Sequence, residues 1–191
     1  MTSILKADNI QDADGNNIIN ESGNTITIGA SGDTTNIIGT LQNDGSAVGG
    51  VMTPAFQAQG SGGQVLSSGS ATKITFANEV YDSSSKYDTS TSRFTPGEAG
   101  KFFIYANSRF NADNGSGAQQ YEIRIYKNGS QQSPTMINGI YDVTAQIITN
   151  NVSGIVTSSN TTDYFEIFGY ADGTNREVYE SRIFGGFKII E

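Results

Sequence analysis

Paired carboxylates are the residues of this 191-residue chain whose types and spacing would suit acid–base chemistry. Asp82 with Asp88, and Glu177 with Glu180, are the candidate pairs for glycoside hydrolysis, which needs two carboxyls about 5–9.5 Å apart in a cleft. Both pairs stand in turn-rich, polar stretches, where nothing in the sequence would raise the pKa of a carboxyl for general-acid work. We therefore predict that the chain is not an enzyme and has no catalytic residue.

The chain contains neither cysteine nor histidine. Cysteine redox chemistry, Cys/His zinc sites, Ser-His-Asp triads and histidine general bases are therefore excluded. Because no disulfide can brace the fold, stability must come from burial of apolar surface, within one chain or between chains. The glycines of residues 45–72 lack the G-x-x-x-x-G-K-S/T pattern, and the following helix, of a phosphate-binding loop.

The net charge is −8, from 11 basic and 19 acidic residues. No basic stripe is available to displace counterions, which argues against nucleic acid or an anionic membrane as the main partner. No apolar run approaches the ~20 residues of a membrane helix, so we predict no membrane insertion. The aspartates of residues 1–50 could attract calcium, but no ligand loop of recognised spacing is present, and we predict no metal site and no cofactor.

Two polar loops are the candidate ligand-binding sites, one over residues 111–117 and the other over residues 170–176. Polar side chains flanked by aromatic residues suit carbohydrate recognition, although ordinary hairpin loops have the same composition. The candidate ligand-binding residues are Asp113, Asn114, Asp172, Asn175 and Arg176.

The elements that must position these loops are short strands. Phe102, Ile104 and Ala106 fall on one face of an extended segment, and the same alternation of apolar and polar residues recurs after residue 120. Asn128-Gly129 predicts a tight hairpin turn. Strands separated by turn signals every 8–12 residues or so predict an all-β sandwich or jelly roll, and no helix is expected.

The first fifty residues consist of short apolar units separated by glycine turns, at a spacing of roughly eight residues. Fixing one backbone residue costs about 1–2 kcal/mol, whereas one buried Ile returns only about 1.5–3 kcal/mol, so a lone chain cannot order this region. It is either a disordered linker or an intertwined trimer, and the recurrence of Ile favours the trimer. The predicted shaft residues are Ile10, Ile18, Ile26, Ile28, Ile37 and Leu41.

These patterns divide the chain into three parts, of which the second and third overlap. Residues 1–50 are predicted to form a fibrous shaft or anchor, and residues 51–72 a Gly/Ser-rich hinge that includes the start of the first strand. Residues 54–191 are predicted to form the jelly-roll head.

Five motifs occur in order along the head: Phe56-Gln-Ala58, Tyr87-Asp-Thr-Ser-Thr-Ser-Arg-Phe-Thr-Pro96, Gly100-Lys-Phe-Phe-Ile-Tyr105, Tyr126-Lys-Asn-Gly129 and Phe184-Gly-Gly-Phe187. Through them, residues from about 54 to 191 resemble the globular head of complement component-1q and its tumour-necrosis-factor-like relatives. The chain departs from that family at Ser92, where Gly is usual, and at Asp163, which lacks the usual preceding Gly.

The resemblance implies an all-β, ten-stranded jelly-roll sandwich that trimerises through aromatic and aliphatic residues and carries no catalytic residue. Some relatives bind calcium near the apex, but those ligands are not matched in this sequence. The aromatic residues expected in the core or the trimer contact of the head are Phe76, Phe94, Phe102, Phe184 and Phe187.

The segment Thr2-Ser-Ile-Leu-Lys-Ala-Asp-Asn-Ile10, followed by Asp14-Gly-Asn16, resembles the N-terminal region of fibre and tail proteins of bacterial viruses. Joined to a trimeric head, it implies a homotrimeric structural protein of a bacteriophage particle. We expect a tail fibre that binds host surface carbohydrate or protein through its head and other virion proteins through its N-terminal segment. The alternatives are a capsid-decorating protein anchored by that segment and a secreted carbohydrate-binding adhesin.

Overall fold

The computed structural model describes most of the second part of the chain and separate stretches of the first. The described residues are 9–11, 13–15, 17–22, 25–28, 31–32, 34–36, 38, 41–43, 46–47, 52–111, 120–132, 140–141, 147–172 and 176–189. The chain divides into two units, residues 1–50 and 51–191, and each is described by itself. All the regular structure of the described residues is β-strand, so no helix there is available to span a membrane.

The leading unit contains a three-stranded antiparallel sheet in the order β1-β2-β3 and a separate two-stranded pair, β4-β5. Their bounds are β1 Asn9–Gln11, β2 Asn17–Ser22, β3 Thr25–Ile28, β4 Gln42–Asn43 and β5 Ser46–Ala47.

One row of isoleucines crosses the three-stranded sheet. Ile10 lies opposite Ile19, and Ile19 lies opposite Ile28. Their exposed fractions are 39%, 37% and 56%, and Leu41 is also exposed. These apolar side chains are therefore left uncovered in a single chain. The side chains of Ile18 and Ile26, and all of Ile37, lie outside the described residues.

The second unit consists of fourteen strand segments, of which seven are only two residues long. This division is finer than the ten strands expected for the family. The segments are β6 Ala55–Gln59, β7 Gln64–Val65, β8 Thr72–Lys73, β9 Asn78–Asp82, β10 Tyr87–Asp88, β11 Arg93–Phe94, β12 Gly100–Asn111, β13 Gln120–Lys127, β14 Ser130–Gln131, β15 Ile140–Tyr141, β16 Ile147–Ser158, β17 Phe165–Ala171, β18 Glu177–Val178 and β19 Ile183–Lys188.

These segments form two antiparallel sheets. The β12 sheet has the order β7-β18-β12-β19-β6-β9, with β16 paired to the other edge of β12 along its whole length. The β13 sheet has the order β10-β11-β17-β13-β14, with β8 beside β17 and β15 beside β13. The expectation of an all-β jelly-roll sandwich without helices is confirmed for the described residues at this level of architecture.

The core lies between the inward faces of the two sheets, as the alternation in the sequence predicts. Along β12, Phe102, Ile104 and Ala106 are buried while the residues between them face outward. Phe56 is central to the core, stacking on Phe94 with ring centroids 4.4 Å apart and meeting Phe184 edge-on at 4.8 Å. Of the five aromatic residues assigned to the head from sequence, four are fully buried: Phe76, Phe94, Phe102 and Phe184.

The Tyr87–Pro96 motif is anchored at one backbone position. The Tyr87 hydroxyl donates to the carbonyl of Phe76 at 2.7 Å, and the Phe76 N–H donates to the Ser92 hydroxyl oxygen at 2.9 Å. Ser92 takes up a left-handed backbone conformation with φ of 51°, which glycine adopts without strain. This conformation explains why glycine would suit position 92, and the buried hydrogen bond gives serine a compensating role there.

The predicted hairpin turn at Asn128-Gly129 is confirmed. Asn128 has φ of 50° and Gly129 has φ of 76°, and Lys127 pairs with Ser130 across the turn. Positive φ at both central residues is the geometry that Asn-Gly favours in two-residue hairpins.

Candidate functional site

The structure describes two of the five residues predicted to bind a ligand. Asp172 is exposed, and its carboxylate accepts the backbone N–H of Gln120 at 2.6 Å. Arg176 donates from Nε to the carbonyl of Leu66 at 3.0 Å. Each side chain therefore links its own segment to the backbone of another segment, at Gln120 for Asp172 and at Leu66 for Arg176. Asp113, Asn114 and Asn175 lie outside the described residues, so the assembly of a binding loop from these five stays a prediction.

The candidate catalytic carboxylates Asp82 and Asp88 act as turn caps. Asp82 accepts the backbone N–H groups of Ser84 and Tyr87, at 3.1 and 2.6 Å. Asp88 accepts from the side chains and the backbone N–H groups of Ser90 and Thr91, and the two side-chain bonds are the main cause that lowers the pKa of Asp88 to about 2. A carboxyl with such a low pKa stays ionised and makes a poor general acid.

The described parts of the chain also contain no cluster of three or more metal-binding side chains.

The outward face of the β12 sheet carries a group of apolar and aromatic side chains, which we name the outer aromatic patch. Phe103 contacts Phe187 with ring centroids 5.4 Å apart, and Tyr105 at 6.2 Å. Ile155 lies opposite Phe103 on β16, and Tyr81 lies opposite Gln57 at the other side of the sheet; both are exposed. Such a group of apolar side chains on one surface makes this face a candidate for contact with another molecule.

Glycine in the last strand makes room for this patch. A Cβ atom at Gly185 would lie 2.3 Å from the hydroxyl oxygen of Tyr105, so a side chain at position 185 would displace the Tyr105 ring. The Tyr105 hydroxyl donates to Gln57 Oε1 at 3.0 Å, and partial burial raises the pKa of Tyr105. The alternation along β12 predicts that Phe103 and Tyr105 face outward, but it does not reveal their neighbours on other strands.

A cleft of about 430 Å³ opens on the same outward face, beyond Tyr105 along β12. Asn107 accepts the backbone N–H of Ile183 at 3.2 Å and forms part of the wall. The lining residues are Gln59, Asn107, Arg109, Thr149, Glu180, Ser181, Arg182 and Ile183. No local pattern in the sequence indicates this cleft, because its residues come from four separate stretches of the chain.

The outward face of the β13 sheet carries ion pairs around one buried glutamate. Glu166 is buried and pairs with Lys73 and with Arg93, whose Nε lies 2.9 Å from the carboxylate. Arg93 lies 4.1 Å above the ring of Tyr164, and its hydrogen bond to Glu166 raises its pKa. The same face carries the stacked rings of Tyr126 and Phe168, with centroids 4.0 Å apart, so it combines charged and aromatic side chains.

Comparison with known proteins is informative only at the level of the fold. The chain is similar to the globular domain of zebrafish complement 1qA protein, with 18% sequence identity and a TM-score of 0.50, over 72% of this chain and 98% of that one. This likeness supports the complement component-1q-like jelly roll. No protein family matches the chain in a scan of family profiles. No curated protein matches it by sequence.

Proposed function

We propose that the chain is a homotrimeric structural protein of a bacteriophage particle, a tail fibre or receptor-binding protein whose jelly-roll head contacts the host cell surface. The observation that carries the proposal is that one chain has two uncovered apolar surfaces. They are the outer aromatic patch of the second unit and the isoleucine row of the first. Both need a partner, and further copies of the same chain supply one to each.

The outer aromatic patch suits a contact between copies. Phe103, Tyr105 and Phe187 are aromatic, closely spaced and anchored on long strands, which is the composition of energetic centres in protein interfaces. The outward face of the β13 sheet also carries aromatic rings, those of Tyr126 and Phe168, but they lie beside ion-paired side chains, so we expect association through the β12 sheet.

The isoleucine row supports association of the leading unit as well. Covering one exposed Ile returns up to about 1.5–3 kcal/mol, and Ile10, Ile19 and Ile28 are already aligned across one sheet. Chains that associate through these rows would bury them without disulfides, which this cysteine-free sequence cannot form.

In this proposal the leading segment attaches the protein to other virion proteins, and the head recognises host surface carbohydrate or protein. No catalytic residue, metal or cofactor is assigned. The protein resides in the virion.

Immunogold labelling of virus particles that carry this chain tests the function. Gold at the tail tip is the expected result, together with reduced adsorption of the particles when cells are first incubated with the purified protein. An even label over the shell would contradict the tail-fibre assignment and favour a capsid-decorating protein. Recovery of the protein only outside particles would instead favour a secreted adhesin.

A further inference from the structure

Strand register builds the floor of the cleft on the β12 sheet from four strands. Gln59 on β6 lies opposite Ile183 on β19, and Ile183 lies opposite Asn107 on β12. Two residues further along β12, Arg109 lies opposite Thr149 on β16. All five residues line the cleft. Because residues that pair across neighbouring strands stand side by side on one face of a sheet, these side chains form one continuous surface.

The wall of the cleft is the segment of residues 179–182, which is held in place from the core side. Arg182 is 2% exposed. Its guanidinium donates to four backbone carbonyls, those of Gly62, Thr75, Val178 and Tyr179. The Tyr179 N–H in turn donates to the carbonyl of Arg109 at 2.8 Å, which joins the wall to the floor. The backbone that carries Glu180 and Ser181 is therefore fixed before a ligand arrives, and such preorganisation reduces the entropy cost of binding.

Five side chains of the lining have polar groups that the fold does not use. Within the described part of the chain, no side-chain hydrogen bond or ion pair is made by Gln59, Arg109, Thr149, Glu180 or Ser181. The exposed Arg109 contacts only the ring of Tyr179, whose centroid lies 5.1 Å from its guanidinium carbon. The carboxylates of the turns differ in this respect, since those of Asp82 and Asp88 accept backbone N–H groups. Donors and acceptors in the cleft are therefore available to a ligand.

The charges available in the cleft are balanced. Arg109 is the one exposed cation of the described lining, and Glu180 is the one anion. A charged ligand therefore meets no excess of opposite charge there. A neutral ligand with several hydroxyl groups can use both side chains, because a carboxylate accepts from hydroxyls, a guanidinium donates to them, and both bonds are charge-assisted.

We propose that this cleft binds a neutral sugar, with Glu180 accepting from its hydroxyls and Arg109, Thr149 and Gln59 bonding to others. Ile183 supplies apolar surface for the C–H groups of the ring, and the volume of about 430 Å³ falls in the range of small-molecule sites. The inference rests on the proposed function, because it names the class of host ligand that the head recognises.

The position of the cleft leaves room for both a ligand and a contact between copies. Asn107 lies four residues along β12 from Phe103, which is about 13 Å at 3.3 Å per residue. The outer aromatic patch and the cleft therefore occupy different parts of one sheet face. Phe187 of the patch pairs with Ala55, close to residue 51, where the second unit begins, whereas Ile183 of the cleft lies at the other end of β19.

The test is a titration of the full chain, followed by ligand-observed NMR, with glucose, galactose, mannose and N-acetylglucosamine as probes and glycerol as the comparison. At least one of the four sugars is expected to bind roughly tenfold or more tightly than glycerol, whose hydroxyls are not held on a ring. Thr149→Val keeps the shape of the side chain and should weaken sugar binding by roughly three- to tenfold, through loss of one hydrogen bond. The matched control is Thr157→Val, at another exposed position of the same strand, which should leave binding unchanged.

A second pair of variants tests the anion. Glu180→Gln should weaken sugar binding by roughly fivefold or more, since an amide accepts weaker hydrogen bonds than a carboxylate. Glu79→Gln removes the same charge from an exposed position on β9 and should leave binding unchanged.

Binding of none of the four sugars, binding of glycerol as tight as that of the best sugar, or an equal loss in Thr157→Val would each overturn the proposal. Loss of the trimer in Glu180→Gln would overturn it too, by assigning the cleft to the contact between copies. Absence of sugar binding in a protein that still labels tails and blocks adsorption refutes the sugar site and leaves the proposed function standing. Sugar binding by a protein found only outside particles supports the site and refutes the tail-fibre function.

Discussion

Ser92 shows how one residue can combine a backbone strain with a buried hydrogen bond. Its φ of 51° is unfavourable for a residue with a Cβ atom, yet its hydroxyl accepts the Phe76 N–H inside the core. The chain departs at this position from the complement component-1q head that it resembles, where glycine is usual. The left-handed φ gives a physical reason for glycine at this position, and the buried hydrogen bond gives one for serine.

Two substitutions at this position should separate the two effects. Ser92→Ala keeps the strain and leaves the buried Phe76 N–H without its acceptor, so we expect a loss of about 1–3 kcal/mol in the free energy of unfolding. Ser92→Gly loses the same acceptor but relieves the strain, which offsets about 1 kcal/mol. Urea denaturation of the two variants measures the difference, and a glycine variant less stable than the alanine variant would refute this reading.

Asp163 gives the protein a pH-dependent stability. Its carboxylate receives hydrogen bonds from Lys127 Nζ at 2.8 Å, from the Ser159 N–H at 2.6 Å and from Asn128 Nδ2 at 2.7 Å. These bonds, that of Lys127 foremost, hold the pKa of Asp163 well below its usual value. The stabilisation is therefore complete above the unfolded-state pKa of about 3.9 and is lost as the pH falls from there toward the lower folded-state pKa.

Replacing this carboxylate tests the linkage. Asp163→Asn should lower the free energy of unfolding at pH 7 by about 1–3 kcal/mol, because charge-assisted bonds to a buried acceptor are lost. The gap between variant and wild type should narrow as the pH drops below about 4, as followed by thermal unfolding across a pH series. A gap that stays constant down to pH 2 would show that Asp163 does not titrate as described.

At the scale of elements, the two adjacent glycines of β19 have separate roles. Gly185 faces outward beneath Tyr105, whereas a Cβ atom at Gly186 would lie 2.5 Å from Cδ1 of Ile104 in the core. Gly186→Ala is therefore expected to lower the stability of the folded chain. Gly185→Ala should displace the Tyr105 ring and weaken association while leaving the fold in place.

Thermal unfolding and sedimentation of the two variants, measured side by side, check this division. The expected pattern is a lower melting temperature for Gly186→Ala and a larger fraction of dissociated chains for Gly185→Ala. The reverse pattern would contradict the placement of the outer aromatic patch at a contact between copies.

The sequence predicts the faces of strands better than their neighbours. Alternation along β12 correctly predicts that Phe102 faces the core and Phe103 faces outward, because a two-residue period is a local property. The contact of Phe103 with Phe187, and the position of Ile155 opposite Phe103, depend on register between strands far apart in sequence. No local pattern encodes that register, so the outer aromatic patch could not be assembled from the sequence alone.

The same limit applies to the leading unit and to the cleft. The recurrence of Ile predicts an apolar surface, but strand register aligns Ile19, rather than Ile18, with Ile10 and Ile28. Asn107 and Ile183, which line the cleft, are ordinary strand residues in the sequence. Their placement in one cleft follows from the pairing of β12 with β19, which sets Asn107 opposite Ile183.

At the scale of the whole molecule, the two units are expected to associate independently. Ile28→Asp would place a charge in the isoleucine row and should reduce the ordering of the leading unit, while the head keeps its trimeric mass. Limited proteolysis followed by sedimentation of the resistant core measures both properties. A head that falls to single chains in this variant would show that the units do not associate separately.

Sedimentation equilibrium of the purified chain at low micromolar concentration tests the central claim, that three copies associate through the uncovered apolar surfaces. The account predicts a mass three times the 20.3 kDa of one chain, and a shift of the head toward single-chain mass in Phe103→Asp with its β-sheet circular dichroism retained. A wild-type protein that sediments as a single folded chain, with its leading unit ordered, would contradict the account.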